Sequence, residues 1–432
     1  MEPPREGRVR PATLLALVLA LGAAVSFILG PIRQAVDRLT FGFPAYYTAS
    51  RLVVEGRWTP AVYENDWFHA ASAAEAAGIE EIYRPNPPTM SLIALPLAGL
   101  DVTAARRMWL ILEVLAVGAL IGVLLAALPS LRAPPAALGL VALVLAWSPL
   151  HEDIRLGQAY TFIALLQALV VLGVVRGSGA VSGLALGVSI VTKVASVPAA
   201  LVLGVRGHVR ALAWAAAAIG ASVLLTLPFA GLDGWRRFVE VFIADTVHPG
   251  AYLAVPAYQS TTGLLTHLLV RDAAWNPAPV IDAPGVAVVM GLVLTVGDLA
   301  TTVALARRGP EVIVVGLALA TGLLVINLAQ EYHGAMLLPV AAIAMATWRT
   351  GRASAGRTIW LIAALVLAGG PFLYRDVAPS GGWIDVLWYP RLAGAWLLWG
   401  WLAREIAASP TAPDVQRATA ETRKMRPSRS AA

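Results

Sequence analysis

Cysteine is absent from the 432 residues, which excludes disulfides, thiol nucleophiles and cysteine metal sites. Charge is scarce as well. Asp, Glu, Lys and Arg together make up 13% of the chain, against roughly 25% in soluble globular domains. Lysine occurs only as Lys193 and Lys424, so nearly all the positive charge is arginine. The six histidines show no H-x-x-x-H pair, and neither a metal nor any other cofactor is expected. The formal charge of +6 raises nucleic acid as a partner. The basic residues, however, are scattered singly between apolar stretches, which reads as membrane topology and not as a binding patch. What the chain has in excess is apolar: 58% hydrophobic residues and a mean hydropathy of +0.71. A soluble core at this length does not hide that much apolar surface, so part of it must face lipid.

Apolar runs occupy residues 12–29, 108–128, 136–150, 159–175, 180–205, 211–232, 285–306, 312–329, 334–348, 358–373 and 386–403. The first follows Arg5, Arg8 and Arg10. It is long for a signal-peptide core and lacks an A-x-A site leading into a soluble domain, so it reads as a membrane helix. The run 180–205 is interrupted by Lys193 and Pro198 and reads as two short helices meeting near the outer face. The expectation is an all-α polytopic membrane protein with about twelve transmembrane helices, each needing ~20 apolar residues. Residues 89–100 are too short to span and are read as a half-buried outer helix. That choice places Arg132, Arg176, Arg206, Arg210, Arg307, Arg308, Arg349, Arg352 and Arg357 in the cytoplasm, whereas the flipped arrangement leaves only Arg106, Arg107, Arg155 and Arg375 there. The positive-inside rule selects the first. The expected organisation is a cytoplasmic N-terminus (1–11), a transmembrane domain (12–403) with outer loops at 31–107 and 233–284, and a basic, disordered cytoplasmic tail (404–432). The protein is expected in the inner (plasma) membrane with both termini cytoplasmic. Loops this long without a role are uncommon.

At these loops the chain resembles glycosyltransferase family 87, polytopic C-type (GT-C) enzymes that use polyprenyl-phosphate sugars, typically mannose. The resemblance rests on GFPAYYTASRLVVEG at 42–56 with Val62 and Tyr63, and on YRPNPPTMSLIALPLAGL at 83–100. LGQAYTFIALLQAL at 156–169 and GLALGVSIVTKVASVP at 183–198 continue it, followed by YQSTTGLL at 258–265 and QEYHGAMLLP at 330–339. Each pattern is weak alone; six in order are specific for the superfamily and less so for the sugar. The resemblance implies a GT-C-like helical bundle. It also implies transfer of a hexose, mannose by resemblance, from a polyprenyl-phosphate donor to a lipid or glycan acceptor on the outer face. Family members usually carry an aspartate just before the first Phe, regarded as the catalytic base. This chain has Gly42 there.

A glycine takes no proton. Asp37, five residues earlier, is the first candidate to replace the missing base, with Asp153 and Glu331 as fallbacks on other outer turns. On this reading, Gly42→Asp restores part of the transfer lost with Asp37. If no acid substitutes, the chain is a non-catalytic carrier-lipid binding protein. A lipid or solute transporter shares the hydropathy, but no pair of related halves is visible.

The remaining candidates each carry a bland alternative. Lys193 lies in an apolar stretch, where a charge costs ~2.5–3.5 kcal/mol. It binds the donor phosphate, as the matched segment's lysine implies, or pairs with Glu113, or snorkels to the surface. Arg84 and Arg155 are further phosphate candidates. Glu152 and Asp153 supply a second acid or simply cap helices. Glu331 and His333 titrate at the site or anchor the interface. Tyr46, Tyr47 and Trp58 stack on a sugar or belong to an interfacial aromatic belt. Gln158 and Gln259 are carried over as substrate-binding residues from the family's G-Q and Q-S patterns. Asp298 and Arg391, within spans, are assigned to helix pairing.

Overall fold

A computed structural model describes residues 11–409 except 85, 249, 373 and 375–381. Most of the N-terminal segment and residues 410–432 of the expected tail lie outside the described residues. No β-strand occurs among those described, and the chain is a bundle of helices joined by 3₁₀ turns. The first helix, α1 (Pro11–Phe27), passes through a π turn containing Pro31 into α2 (Arg33–Asp37), giving one continuous rod. Pro31 is tolerated because the wider turn lets the ladder skip the missing N–H. Asp37 therefore ends a membrane-length helix, although the apolar run stops at Leu29.

Two short helices follow, α3 (Phe43–Val54) and α4 (Asn65–Glu75). Residues 89–100, expected as a helix, form two 3₁₀ turns at Pro88–Leu92 and Leu95–Leu97. Asp101 then caps α5 (Val102–Ala127) by accepting from the N–H groups of Thr103 and Ala104. At 26 residues α5 is about 39 Å long, enough to cross a bilayer. Next come α6 (Pro134–Leu145) and α7 (Ser148–Leu156), bent by 50° at Ala146–Trp147, then α8 (Tyr160–Val175). The run 180–205 divides as expected, into α9 (Gly179–Thr192) and α10 (Val197–Val205), with Lys193 extended at the break.

The 39-residue α11 (Val209–Val247) kinks at Gly231, which adopts φ 58° three residues after Pro228. Its first part is apolar; its second part, past the kink, packs Phe238 and Val241 against the segments between α3 and α5. The remaining helices are α12 (Thr261–Leu269), α13 (Pro284–Leu305), α14 (Glu311–Leu324), α15 (Leu338–Thr350), α16 (Ala355–Gly369) and α17 (Pro390–Ala407). Residues 404–407, expected as the start of a disordered tail, are the last turn of α17.

Among the described residues, four helical stretches are long and apolar enough to cross a membrane: Pro11–Asp37, Val102–Ala127, Val209–Thr246 and Pro284–Leu305; the bent pair α6–α7 makes a fifth. The hydropathy count of about twelve exceeds this because α8, α9, α14 and α16 have only 14–16 residues. Such helices reach about 21–24 Å and are extended by 3₁₀ or irregular turns. The lipid-facing character lies on α1 and α13, where Leu15, Leu292 and Val293 are each more than 60% exposed. By contrast α14 is buried on every side from Ile313 to Leu324, as expected of an all-round apolar helix at a bundle centre.

Two interior contacts set the frame. Gly183 and Gly187 of α9 press against the backbone of α11: a Cβ at Gly183 would lie 2.2 Å from the Ala211 carbonyl oxygen, and one at Gly187 2.5 Å from that of Ala215. This is small-residue packing four apart, which lets two apolar helices touch at the backbone. The second contact is a buried ion pair within α5, Arg106 Nη1 to Glu113 Oε2 at 3.2 Å, supported by the Ile154 carbonyl. Glu113 is thus paired with Arg106 and not with Lys193. Arg391 pairs with Glu331 at 2.7 Å and donates to Ser148, joining α17 to α7. Asp298 is buried on α13 with no ion pair among the described residues.

The two long segments expected as loops come together at one end of the bundle. There Phe43, Tyr46, Tyr47, Trp58, Tyr63, Phe68 and Tyr83 form a second core with Trp109 of α5. Tyr47 and Trp58 are therefore neither sugar platforms nor a membrane belt. Their rings are buried against their neighbours, and their polar tips are satisfied inside, Trp58 by Ser91 at 2.9 Å and Tyr47 by the Leu100 carbonyl at 2.7 Å. Aromatic burial of this size outweighs exposure at an interface.

Candidate active site

Beneath this aromatic cap lies a cavity of about 900 Å³. Its floor is built by helix ends. Gly42, immediately before α3, has φ +114°, and a Cβ there would stand 2.5 Å from the Leu156 carbonyl oxygen and 2.8 Å from Gln158 Nε2. Only glycine fits that turn. Its N–H points at the carboxylate of Glu81 and donates to it. Glu81 sits in the extended segment after α4, where its own N–H is held by Ser72 Oγ at 2.8 Å. The side chain is buried, and no cation pairs with it among the described residues. Burial raises its pKa to about 7, with the Gly42 N–H working in the opposite direction.

Across the cavity, the α9–α10 break places the Lys193 ammonium 2.6 Å from Asn86 Oδ1 and 5.4 Å from the centre of the Tyr160 ring. It has no acidic partner among the described residues. Arg84 is held by Asp245, from the part of α11 beyond its kink, at 2.9–3.1 Å. His333 Nδ1 accepts from the Gln330 N–H at 3.1 Å, which puts the proton of the neutral ring on Nε2, 2.7 Å from the Tyr160 hydroxyl. Tyr46 donates to Gln158 Oε1 at 2.6 Å. Tyr332 stacks on His333 at 4.7 Å between centroids.

A second, apolar crevice of about 350 Å³ opens beside this cavity, walled by Val194, Val197, Phe242, Val325 and Ile326. Arg84, Tyr160, Lys193, Asp245, Leu328 and His333 line both. Polar space and apolar space therefore meet at Lys193.

Of the residues singled out from sequence, Tyr46, Arg84, Gln158, Lys193 and His333 line the cavity. The others do not. Asp37 lies on the helix end, 60% exposed, with Arg33 at 3.8 Å. Asp153 is buried under α8 and accepts from the N–H groups of Tyr160 and Thr161 at 3.0 and 2.8 Å, so it satisfies that helix's first donors. Glu331 is engaged by Arg391. Arg155 pairs with Glu152 at 2.5 Å. Gln259 donates to the Trp388 carbonyl and accepts from the Arg391 N–H, joining the α12 segment to α17.

Sequence reasoning missed Glu81, Asp245, Asn86, Tyr160 and the pair Asn65 and His69. Glu81 stands two residues before the quoted segment at 83–100, but Glu80 stands beside it, and nothing in the pattern says which of the two turns inward. Asn65 and His69, four apart on α4, were detectable as one helical face.

Comparison with curated proteins and with solved structures gives no match. The family model for glycosyltransferase family 87 matches residues 85–330, more than half of the 432-residue chain. The matched region contains Asn86, Gln158, Lys193, Asp245 and Gln330 of the cavity, and it begins after Gly42 and Glu81. On that match, together with the apolar helical bundle, the chain belongs to glycosyltransferase family 87 and is a membrane glycosyltransferase.

Proposed function

We propose that the protein transfers a hexose, mannose by family resemblance, from a polyprenyl-phosphate donor to a hydroxyl of a lipid or glycan acceptor. The observation that carries this reading is the position of Lys193, a cation without an acidic partner among the described residues, where a polar cavity joins an apolar crevice. A lipid phosphate bearing a sugar has that same division: chain in the crevice, phosphate at the ammonium, sugar in the cavity. Lys193 supplies a point charge for the phosphate. Arg84, neutralised by Asp245, supplies directed N–H donors more than net charge.

In the reaction the acceptor oxygen bonds to the anomeric carbon as the bond from that carbon to the phosphate oxygen breaks. The acceptor hydroxyl loses its proton to a base, and the polyprenyl phosphate leaves with the bond's electron pair. Positive charge placed where that negative charge grows lowers the barrier. Tyr46, Gln158 and His333, which line the cavity, are the proposed sugar contacts. In this reading the cavity opens on the outer face of the inner membrane, both termini are cytoplasmic, and the helices too short to cross alone complete their spans through the adjoining turns.

The test is transfer of label from polyprenyl-phosphate mannose to a lipid or glycan product by purified protein in vesicles. Product formation that depends on Lys193 supports the reading. Tight polyprenyl-phosphate binding with no product from any polyprenyl-phosphate hexose would instead identify a carrier-lipid binding protein. Movement of intact donor between leaflets would identify a transporter.

A further inference from the structure

Resting on that reading, we infer that Glu81 is the general base of the transfer, held in place by the backbone N–H of Gly42. The position before Phe43 has no side chain, and the turn at Gly42 excludes one. The Glu81 carboxylate, coming from the segment beyond α4, accepts the N–H of that same residue.

Three observations separate Glu81 from the other acids around the cavity. It lines the cavity, which Asp37, Asp153 and Glu331 do not. No arginine, lysine or histidine pairs with it among the described residues, whereas Asp245 is committed to Arg84 and Glu331 to Arg391. Its contact is a backbone N–H, which orients a carboxylate without removing its ability to accept a proton. Burial adds that the ionised form is less stable than in water, so the proton is held more firmly once taken.

The acceptor side follows from the same geometry. Asn65 and His69 line the cavity from α4, on the helix whose Ser72 holds the Glu81 backbone. Neither side chain makes a hydrogen bond among the described residues, so both are available to neighbouring hydroxyls. A base flanked by two such groups suits an acceptor with several hydroxyls, that is, a sugar or polyol head.

The experiment compares unmodified protein, Glu81→Gln and Glu81→Asp in vesicles, reading kcat, acceptor KM, and binding of polyprenyl phosphate alone. General-base catalysis contributes about 10²–10⁴-fold. Glu81→Gln should lose at least about 10²-fold in kcat, with polyprenyl-phosphate affinity unchanged and the melting temperature retained. Glu81→Asp, one methylene shorter but still a base, should keep part of the rate. Equal kcat for Glu81→Gln and unmodified protein overturns the assignment. So does a loss that Glu81→Asp shares in full while polyprenyl-phosphate binding falls in step, since that marks a structural role. Absence of transfer by the unmodified protein overturns the proposed function itself, and the base assignment with it.

Discussion

Gly42 donates its backbone N–H to the carboxylate of Glu81, 39 residues further along the chain. The pairing links Gly42, where the resemblance leads one to expect an aspartate, to an acid of the cavity that has no cationic partner among the described residues. It also reverses an expectation drawn from the pattern alone. Gly42→Asp adds a Cβ against the Leu156 carbonyl at a φ that side chains rarely adopt, and strained positions of this kind cost about 1–3 kcal/mol. Both Gly42→Ala and Gly42→Asp should lower the melting temperature in detergent and reduce transfer. Higher activity for Gly42→Asp would show that the turn relaxes to admit a side chain.

Lys193→Met preserves length and removes charge. A hydrogen bond to a charged group is worth ~1.5–3 kcal/mol, so polyprenyl-phosphate affinity should fall by about 10- to 100-fold with the fold intact. Titration with the lipid phosphate, alongside thermal melting, reads both quantities. Unchanged affinity would remove Lys193 from the phosphate site.

A base must be ionised to act. The Glu81 carboxyl is raised to about 7 by burial, so it is protonated below that pH and ionised above it. Transfer, read as kcat/KM, should therefore climb as pH rises through about 7 and level off above. His69 and His248 line the same cavity, and Glu81→Gln is the control that separates them. A rising limb that survives unchanged in that variant belongs to another group.

The buried pair in α5 makes a stability prediction. Removing one partner of such a pair leaves an uncompensated buried group and costs about 3–5 kcal/mol. Arg106→Leu should sharply lower the melting temperature. Adding Glu113→Gln should recover part of the loss. No recovery in the double variant would mean that the Arg106 contact with the Ile154 carbonyl carries the effect.

Because the chain has no cysteine, single cysteines report topology directly. Ala61 lies in the cap between α3 and α4, and exposed Ser354 precedes α16. An impermeant reagent should label Ala61→Cys in intact cells and leave Ser354→Cys protected. The reverse pattern would place the cavity on the cytoplasmic face.

Hydropathy located the helices of the bundle because each apolar run maps to one helix or, at 136–150 and 180–205, to two. It also placed the break at Lys193, where a charge and a nearby proline interrupt the run. Run length was a poorer guide. The first helix continues to Asp37 through polar residues, since a helix needs backbone hydrogen bonds and not an apolar surface, and this is why Asp37 was misread as a loop acid. The aromatic residues of 43–68 were misread for another reason: composition does not distinguish rings buried against one another from rings at a lipid boundary. Tyr46, Arg84, Gln158, Lys193 and His333 stand in the quoted motifs, and the structure places all five on the cavity wall. Glu81 was not legible, because its role depends on a turn geometry that only coordinates reveal.

The backbone-to-backbone contact at Gly183 and Gly187 reaches beyond packing. Lys193 is the residue that ends α9, and Asp245, which holds Arg84, rides near the far end of α11. Both charged walls of the phosphate side are therefore mounted on the same clamp, one on each jaw. A single methyl at Gly183, far from any substrate, would prise the jaws apart and change the gap between ammonium and guanidinium. On the proposed reading, affinity for a lipid phosphate is in this sense gauged by the absence of two side chains that never meet it.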